Sequence, residues 1–194
     1  MSAKVSFNQP LKSLTFCGAE NIAALFDSST GTHYSTIEVD RSSSDVFGTC
    51  DSIFVTDKTT GMKRLDLHSS NLIPIFGLHD EEFSAACRNA DTEMMFAATW
   101  NKQSKRTTVK MIDPRTPNGI SDILSFQQSY VSRMASSGEN EIILEQNNGL
   151  LKLYDIRKSK PCRWTFDSRG QCKSIHENGL FVCLEMDKDV RLLK

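Results

Sequence analysis

The fold class is decided by residues 142–155, which read Ile-Ile-Leu-Glu-Gln-Asn-Asn-Gly-Leu-Leu-Lys-Leu-Tyr-Asp. Two apolar segments flank an Asn-Asn-Gly sequence, and Asn-Gly supplies the positive φ angles that type I′ hairpin turns require. Similar segments of about 5–7 residues, separated by Gly, Asn, Asp, Ser and Pro, recur along the chain, whereas helical periodicity is scarce. The sequence therefore predicts an all-β protein.

Hairpins are also indicated by the turn chemistry of residues 27–31 and 58–61. Residues 81–90 contain the helix formers Glu, Ala and Arg, but both neighbouring segments have the pattern of sheet, and we predict a strand there. The predicted strands lie at 11–16, 22–26, 34–39, 53–56, 62–67, 72–76, 83–87, 94–99, 108–112, 122–126, 131–135, 141–145, 150–155, 162–166, 172–175, 180–185 and 190–193.

A degenerate repeat runs through these strands. Segments that read apolar-x-apolar and then end in an acidic residue place that residue at 38, 66, 113 and 155, and the last copy ends at 194. The intervals are 28, 47, 42 and 39 residues, with a mean of 39, near the 40–45 residues of a four-stranded propeller repeat. The short interval suggests that the unit around Cys50 has lost a strand or fused two.

At these residues the sequence resembles the WD40 family of β-propellers. The best unit has Tyr154-Asp155 in place of the family's Trp-Asp, Val109 to Asp113 is a weaker copy, and Leu65-Asp66 is weaker still. The Gly-His dipeptide of the family is mostly missing. The resemblance implies that residues 1–194 form one small propeller domain of about five degenerate, four-stranded blades.

Closure of such a ring would remove the open sheet edges. Residues 190–194 would be a third strand with no fourth strand after it, and residues 3–7 form an alternating strand ahead of the first apparent blade. We expect the N-terminal strand to pair with the C-terminal strand and complete the last blade. The alternative is an incomplete part of a larger propeller.

Composition argues against several classes of function. The chain has 194 residues, with 23 Lys and Arg against 24 Asp and Glu and a formal net charge of -1. A chain with such balanced charge lacks the broad positive charge that attracts nucleic acids or anionic membranes. The apolar runs are far shorter than the roughly 18 residues of a membrane span, and the polar start is not typical of a secretory signal. We expect an intracellular protein of the cytoplasm or nucleus.

The cysteines fit that expectation. They occur mostly beside apolar residues in predicted strands, without the C-x-x-C or histidine spacing of a zinc site. We predict that they are reduced and structural rather than disulfide-bonded or metal-binding. The six are Cys17, Cys50, Cys87, Cys162, Cys172 and Cys183.

No motif for catalysis is visible. The chain has no phosphate-loop, dinucleotide-binding, nucleophile-elbow or zinc-protease sequence. The carboxylate pairs Glu81-Glu82 and Asp187/Asp189 fall in turn-like positions that are typical of solvated surface. We expect no enzymatic activity, no cofactor and no metal.

The most specific candidate site is Tyr154-Asp155-Ile156-Arg157. In the WD40 family such a sequence, at the end of a third strand, resembles the docking box of substrate receptors of cullin-4 ubiquitin ligases, where an arginine fork pairs with an acidic adaptor surface. Asp113 and Arg115 form an incomplete second copy with Ile112 at the aromatic position. The alternative is that Asp155 caps its strand and pairs locally with Arg157 or a turn amide.

Two basic segments are further candidates. Lys105 and Arg106 follow Trp100, whereas Lys158 and Lys160 follow the best repeat. A basic loop beside an aromatic ring can bind RNA by charge and stacking, but such charges also keep loops soluble, and the balanced charge of the chain favours that interpretation. Trp164 is predicted to be a core residue.

The resemblance implies a non-catalytic scaffold that presents loop tips to other proteins from a rigid ring. Two alternatives remain open. One is a substrate receptor of a cullin-4 ubiquitin ligase that docks through the Tyr154 to Arg157 box, and the other is an RNA-associated assembly factor.

Overall fold

Strands account for all the regular secondary structure of the described residues, which confirms the all-β prediction. The structure is a computed structural model, and it describes residues 4–8, 13–17, 22–27, 30–38, 43–48, 53–66, 69, 71–89, 91–92, 94–116, 119–147, 149–158, 162–170, 172, 174–177, 182–186 and 189–193. No helix with the length and apolar character needed to cross a bilayer occurs in this part of the chain.

The described strands form five sheets, each made of strands that follow one another along the sequence. Sheet 1 contains β1 (Lys4–Asn8), β2 (Ser13–Cys17), β3 (Ile22–Asp27) and β4 (His33–Glu38). Sheet 2 contains β5 (Ser43–Gly48), β6 (Ile53–Asp57), β7 (Gly61–Asp66) and β8 (Asn71–Phe76). Sheet 3 contains β9 (Glu82–Arg88), β10 (Met95–Asn101), β11 (Arg106–Ile112) and β12 (Ile120–Gln127). Sheet 4 contains β13 (Val131–Ser136), β14 (Glu141–Gln146), β15 (Leu150–Asp155) and β16 (Cys162–Asp167), and sheet 5 contains β17 (Ser174–Glu177), β18 (Val182–Glu185) and β19 (Val190–Leu193).

The chain divides into two compact units, residues 1–83 and 84–194, with the division inside β9. The first unit holds sheets 1 and 2, and β1 lies beside β5 within it. The second unit holds sheets 3, 4 and 5, and β13 lies beside β17. In each of these pairs the first strands of consecutive sheets are neighbours.

The core of the second unit is formed on both faces of sheet 4. Ile142 and Leu144 belong to a buried cluster shared with Phe96 and Val109 of sheet 3. Ile143 points the other way because successive side chains of a strand alternate between faces, and it belongs to a cluster shared with Leu184 of sheet 5. Burial on both faces explains why β14 carries an uninterrupted apolar run rather than an apolar-polar alternation.

The hairpin between β14 and β15 confirms the turn predicted from Asn-Gly, because the two strands pair antiparallel with Gln146 opposite Leu150. Asn147 and Gly149 both have positive φ, at 35° and 102°. A side chain at position 149 would also place its Cβ 2.2 Å from the carbonyl oxygen of Gly170. Glycine is therefore required here by conformation and by space.

The segment 81–90 is correctly predicted as a strand, since β9 spans Glu82–Arg88. The suggestion that the unit around Cys50 lacks a strand is wrong, because β5 completes a four-stranded sheet 2. β5 reads Ser-Ser-Asp-Val-Phe-Gly, with too few apolar residues for an alternating pattern to be visible. Cys50 itself lies outside the described residues.

The irregular repeat interval has a structural explanation. Residue 38 ends β4, the fourth strand of its sheet, whereas residue 66 ends β7, the third strand of the next. The equivalent third strand of sheet 1 is β3, which ends at Asp27. From Asp27 to Asp66 the spacing is 39 residues, and the interval of 28 came from comparing strands in different positions.

The N-terminal strand was expected to complete the last sheet, and this prediction is wrong. β1 pairs antiparallel with β2, with Val5 opposite Phe16, and so belongs to sheet 1. Sheet 5 has three strands within the described residues. The alternation of residues 3–7 predicts a strand correctly, but the pattern of a strand does not specify its partner.

Replacement of Ile143 by Ala should lower the free energy of unfolding by about 2–5 kcal/mol, because the site is enclosed by sheets on both faces and collapses poorly around a cavity. Leu192→Ala is the matched control, since the Leu192 side chain is 69% exposed, and it should cost less than about 0.5 kcal/mol. Urea unfolding followed by circular dichroism measures both. Equal effects of the two variants would contradict the stacked arrangement.

Candidate interaction surface

A buried aspartate organises the turn that follows β15. Both carboxylate oxygens of Asp155 accept hydrogen bonds from Arg157, from Nε to Oδ1 at 3.0 Å and from Nη2 to Oδ2 at 3.0 Å. The backbone N–H of Arg157 donates to Oδ1 at 3.2 Å, and Lys158 Nζ lies 3.4 Å from Oδ2. The Asp155 side chain is fully buried, whereas the Arg157 side chain is 61% exposed.

The same arrangement occurs after β11. Arg115 donates from Nε to Asp113 Oδ1 at 2.8 Å and from Nη2 to Oδ2 at 2.9 Å, and its backbone N–H donates to Oδ1 at 3.0 Å. The Arg115 side chain is 66% exposed. We call residues 113–115 and 155–157 the Asp-x-Arg turns. Each follows the third strand of its sheet, so adjacent stacked sheets carry equivalent exposed guanidinium groups.

Sheet 2 has a related turn without the arginine. Asp66 ends β7 in the equivalent position, and its Oδ2 accepts a hydrogen bond from Ser69 Oγ at 2.6 Å. An aspartate at the end of a strand suits this position because its short carboxylate can bond groups two or three residues ahead. The acidic residue of the sequence repeat is therefore a structural element of the turn, and arginine is added in sheets 3 and 4.

Ion pairing shifts the titration of both aspartates. Hydrogen bonds from the Arg157 guanidinium hold the pKa of Asp155 well below its ordinary value, although burial of the carboxylate acts in the opposite direction. The pKa of Asp113 is likewise lowered, chiefly by the hydrogen bond from the Arg115 side chain. Asp155 in turn raises the pKa of Arg157. Both Asp-x-Arg turns are consequently ionised pairs at neutral pH.

The other predicted contact residues fall into separate places. Tyr154 is buried in the cluster between sheets 3 and 4, and its ring packs against Phe126 with the centroids 5.3 Å apart. Lys158 is exposed beside the Asp155 turn. Lys105 and Arg106 are exposed at the opposite end of sheet 3, in and after the turn between β10 and β11. Lys160 lies outside the described residues.

A buried polar group that sequence reasoning missed lies in β14. Glu145 is fully buried, and its carboxylate accepts hydrogen bonds from Ser132 Oγ and from the backbone N–H of Cys172, both at 2.6 Å. These bonds join the first two strands of sheet 4 to the segment ahead of sheet 5. The sequence carried no signal for this contact, because residues 132, 145 and 172 are brought together only by the packing of the sheets.

The thiols described here are free and structural in character. Cys87, Cys172 and Cys183 form no disulfide. Burial raises the pKa of the Cys87 thiol, and burial together with the nearby Glu145 carboxylate raises the pKa of Cys172 to about 11. Both thiols are therefore protonated, and weakly nucleophilic, at neutral pH. The side chains of Cys17, Cys50 and Cys162 lie outside the described residues.

Trp164, predicted to be a core residue, is partly buried and packs against the cluster between sheets 4 and 5. Within the described residues, no group of three or more His, Cys, Asp and Glu side chains is placed to hold a metal ion.

A comparison of the sequence with models of protein families finds no match, and no curated protein is significantly similar to it. The geometry of the Asp-x-Arg turns is therefore the main basis for a proposal of function.

The Asp155 ion pair predicts a pH-dependent stability. Because the folded-state pKa of Asp155 lies below its ordinary value of 3.8, the pair stabilises the folded chain above about pH 4, and this contribution declines as the pH falls through the folded-state pKa. We expect Asp155→Asn to be less stable than the parent at pH 7. The difference between the two proteins should narrow below about pH 4.

Urea unfolding of both proteins across this pH range measures the effect. Asp122→Asn is the control, because Asp122 is 64% exposed and pairs with Lys110 at the surface. Its effect should stay within about 1 kcal/mol. A constant difference between Asp155→Asn and the parent from neutral to strongly acidic pH would show that the carboxylate charge is not what stabilises the turn.

Proposed function

We propose that this chain is a small WD40-like β-propeller that serves as a non-catalytic scaffold for protein–protein interactions. The proposal is supported by five consecutive antiparallel meander sheets and by the 39-residue spacing of Asp27 and Asp66. It is also supported by the stacking of sheet 4 between sheets 3 and 5. Propellers use such repeated sheets to keep their edges short and to display many loops.

The paired Asp-x-Arg turns carry the functional part of the proposal. Each guanidinium is held by two hydrogen bonds to its aspartate, and yet more than half of the arginine side chain is exposed. An arginine already fixed in one orientation loses less conformational entropy when a partner binds. The guanidinium N–H groups that do not bond the aspartate can donate to a carboxylate of the partner. The expected partner is therefore a protein with an acidic contact surface.

The double variant Arg115→Ala/Arg157→Ala tests this role. Quantitative affinity purification from cells, with mass spectrometry, should show at least one protein partner recovered about tenfold less with this variant than with the parent. That reduction corresponds to loss of about 1.4 kcal/mol of binding free energy. Thermal unfolding of the purified variant shows whether the fold is retained.

Lys58→Ala/Arg64→Ala is the matched control, because it also removes two positive charges but leaves both Asp-x-Arg turns intact. It should leave recovery of the same partners unchanged. If the two double variants give the same set of partners at the same recovery, the Asp-x-Arg turns have no role in partner binding.

A second candidate function is a substrate receptor of a cullin-4 ubiquitin ligase, docking through Tyr154 to Arg157. The observation that favours it is the exposed, oriented guanidinium of Arg157, three residues after the buried Tyr154. The local pair of Asp155 with Arg157, foreseen as the structural alternative, is present. That pair by itself accounts for the geometry of the turn, so docking needs direct measurement.

Binding of the purified cullin-4 adaptor by surface plasmon resonance separates these possibilities. Under the receptor proposal the parent binds the adaptor, and Arg157→Ala binds at least about tenfold more weakly, because one desolvated charge pair is lost. Arg115→Ala, which lies in the incomplete copy, should bind as the parent does. Absence of binding by the folded parent would exclude the receptor function.

A further inference from the structure

The turn that follows β11 carries a hydroxyl group directly after its Asp-x-Arg pair. Thr116 is the next residue after Arg115, and it is exposed. Its Oγ1 donates a hydrogen bond to the carbonyl oxygen of Asp113 at 3.4 Å, which is long for a bond between a hydroxyl and an oxygen acceptor. The hydroxyl is therefore held only weakly in the turn.

The other Asp-x-Arg turn has a cation where this turn has the hydroxyl. The backbone N–H of Thr116 donates to the carbonyl of Asp113 at 3.3 Å, and that of Lys158 donates to the carbonyl of Asp155 at 3.1 Å. Thr116 and Lys158 therefore occupy equivalent positions. Lysine Nζ at this position lies 3.4 Å from Asp155 Oδ2, whereas threonine offers a neutral oxygen that can be esterified.

The residue after Thr116 distinguishes it from every other hydroxyl of the chain. Thr116 precedes Pro117, and no other serine or threonine in the sequence precedes a proline. Pro117 itself lies outside the described residues. Proline-directed protein kinases accept a serine or threonine that comes directly before a proline. The sequence therefore offers such a kinase a single acceptor.

The place of the hydroxyl in the turn admits nothing larger. Oγ1 lies against Gly119, where a Cβ would be only 2.0 Å from it. A phosphorylated side chain therefore has to move to another rotamer, and it loses only the weak bond to the carbonyl of Asp113. The backbone bond that closes the turn, from Asp113 N–H to the carbonyl of Gly119 at 2.7 Å, does not involve the Thr116 side chain.

A phosphate on Thr116 would lie in the same turn as both members of an ion pair. It carries a charge of about −1.5 to −2 at neutral pH and has three acceptor oxygens. Arg115 bonds Asp113 through Nε and Nη2, whereas a guanidinium has further N–H donors. The Asp113 carboxylate repels the phosphate, and the Arg115 guanidinium attracts it and can donate to both groups.

We propose that Thr116 is a phosphorylation site for a proline-directed protein kinase and that its phosphate binds the Arg115 guanidinium. The γ-phosphoryl group of ATP is transferred to Oγ1. A bond forms between Oγ1 and the γ-phosphorus, the bond from that phosphorus to the oxygen of the leaving ADP breaks, and the hydroxyl proton passes to the catalytic base of the kinase.

The phosphate would take donors of Arg115 that an acidic partner would otherwise use, and it would repel that partner. This consequence rests on the proposed function, whereas phosphorylation of Thr116 and the contact with Arg115 do not. Only the turn of sheet 3 would be regulated in this way, because the equivalent residue in the turn of sheet 4 is Lys158.

Incubation of the folded, full chain with ATP and either a purified mitogen-activated protein kinase or a purified cyclin-dependent kinase tests the acceptor. Mass spectrometry should show a single added phosphate, located at Thr116. Thr116→Val retains the shape of the side chain without its hydroxyl and should gain none, and Thr116→Ser should restore the gain. Pro117→Ala should lose most of it, because the residue that the kinase recognises is absent.

Phosphorus NMR of the phosphorylated chain, titrated across the second ionisation of the phosphate, tests the contact with Arg115. A guanidinium partner stabilises the dianion, so the second pKa of the phosphate should be lower in the parent than in Arg115→Ala. Arg157→Ala, which removes the equivalent cation from the other turn, should leave this pKa as in the parent. The difference should persist in Asp113→Asn and Asp113→Asn/Arg115→Ala, which lack the repulsion by Asp113. Circular dichroism of each variant shows whether it is folded.

Any of three results would overturn the proposal. The first is no incorporation of phosphate into the folded parent by either kinase. The second is equal incorporation into the parent and Thr116→Val, and the third is the same phosphate pKa in the parent and Arg115→Ala. Failure of the proposed function would instead be seen as unchanged partner recovery by Arg115→Ala/Arg157→Ala, with phosphorylation of Thr116 still present.

Discussion

Burial of β14 on both faces is the constraint on which the second unit depends. Ile142 and Leu144 pack toward sheet 3, and Ile143 between them packs toward sheet 5. A four-stranded sheet with apolar residues on both faces is unstable in water unless each face is covered. Stacking of consecutive sheets satisfies this requirement and leaves the Asp-x-Arg turns exposed at one end of sheets 3 and 4.

The antiparallel meander gives the two ends of sheets 3 and 4 different chemistry. Turns after the third strands hold Arg115 and Arg157 against aspartates, so their charges are paired and oriented. At the other end of sheet 3, the turn between β10 and β11 carries the exposed residues Lys105 and Arg106.

A buried carboxylate inside the stack is satisfied by hydrogen bonds from two neighbouring elements. Glu145 of β14 accepts hydrogen bonds from Ser132 Oγ and from the backbone N–H of Cys172. Buried polar groups need such partners because an unsatisfied group costs desolvation energy. The sheets are consequently joined by hydrogen bonds as well as by apolar contact.

The sequence by itself determined the local structure, because strand period, apolar runs and turn residues are short-range signals. It predicted β14, β15, the turn at Gly149 and a strand at 83–87, which lies within β9, and it located the Asp155 turn. Only the tertiary structure decided which strands pair, and it places β1 in sheet 1. It also revealed β5, which the sequence pattern did not predict, and it showed that Asp27 rather than residue 38 is the repeat position. It also brought Glu145 to Cys172 and Lys105 to Gln128. These contacts join residues 23 to 27 positions apart, and no local pattern specifies them.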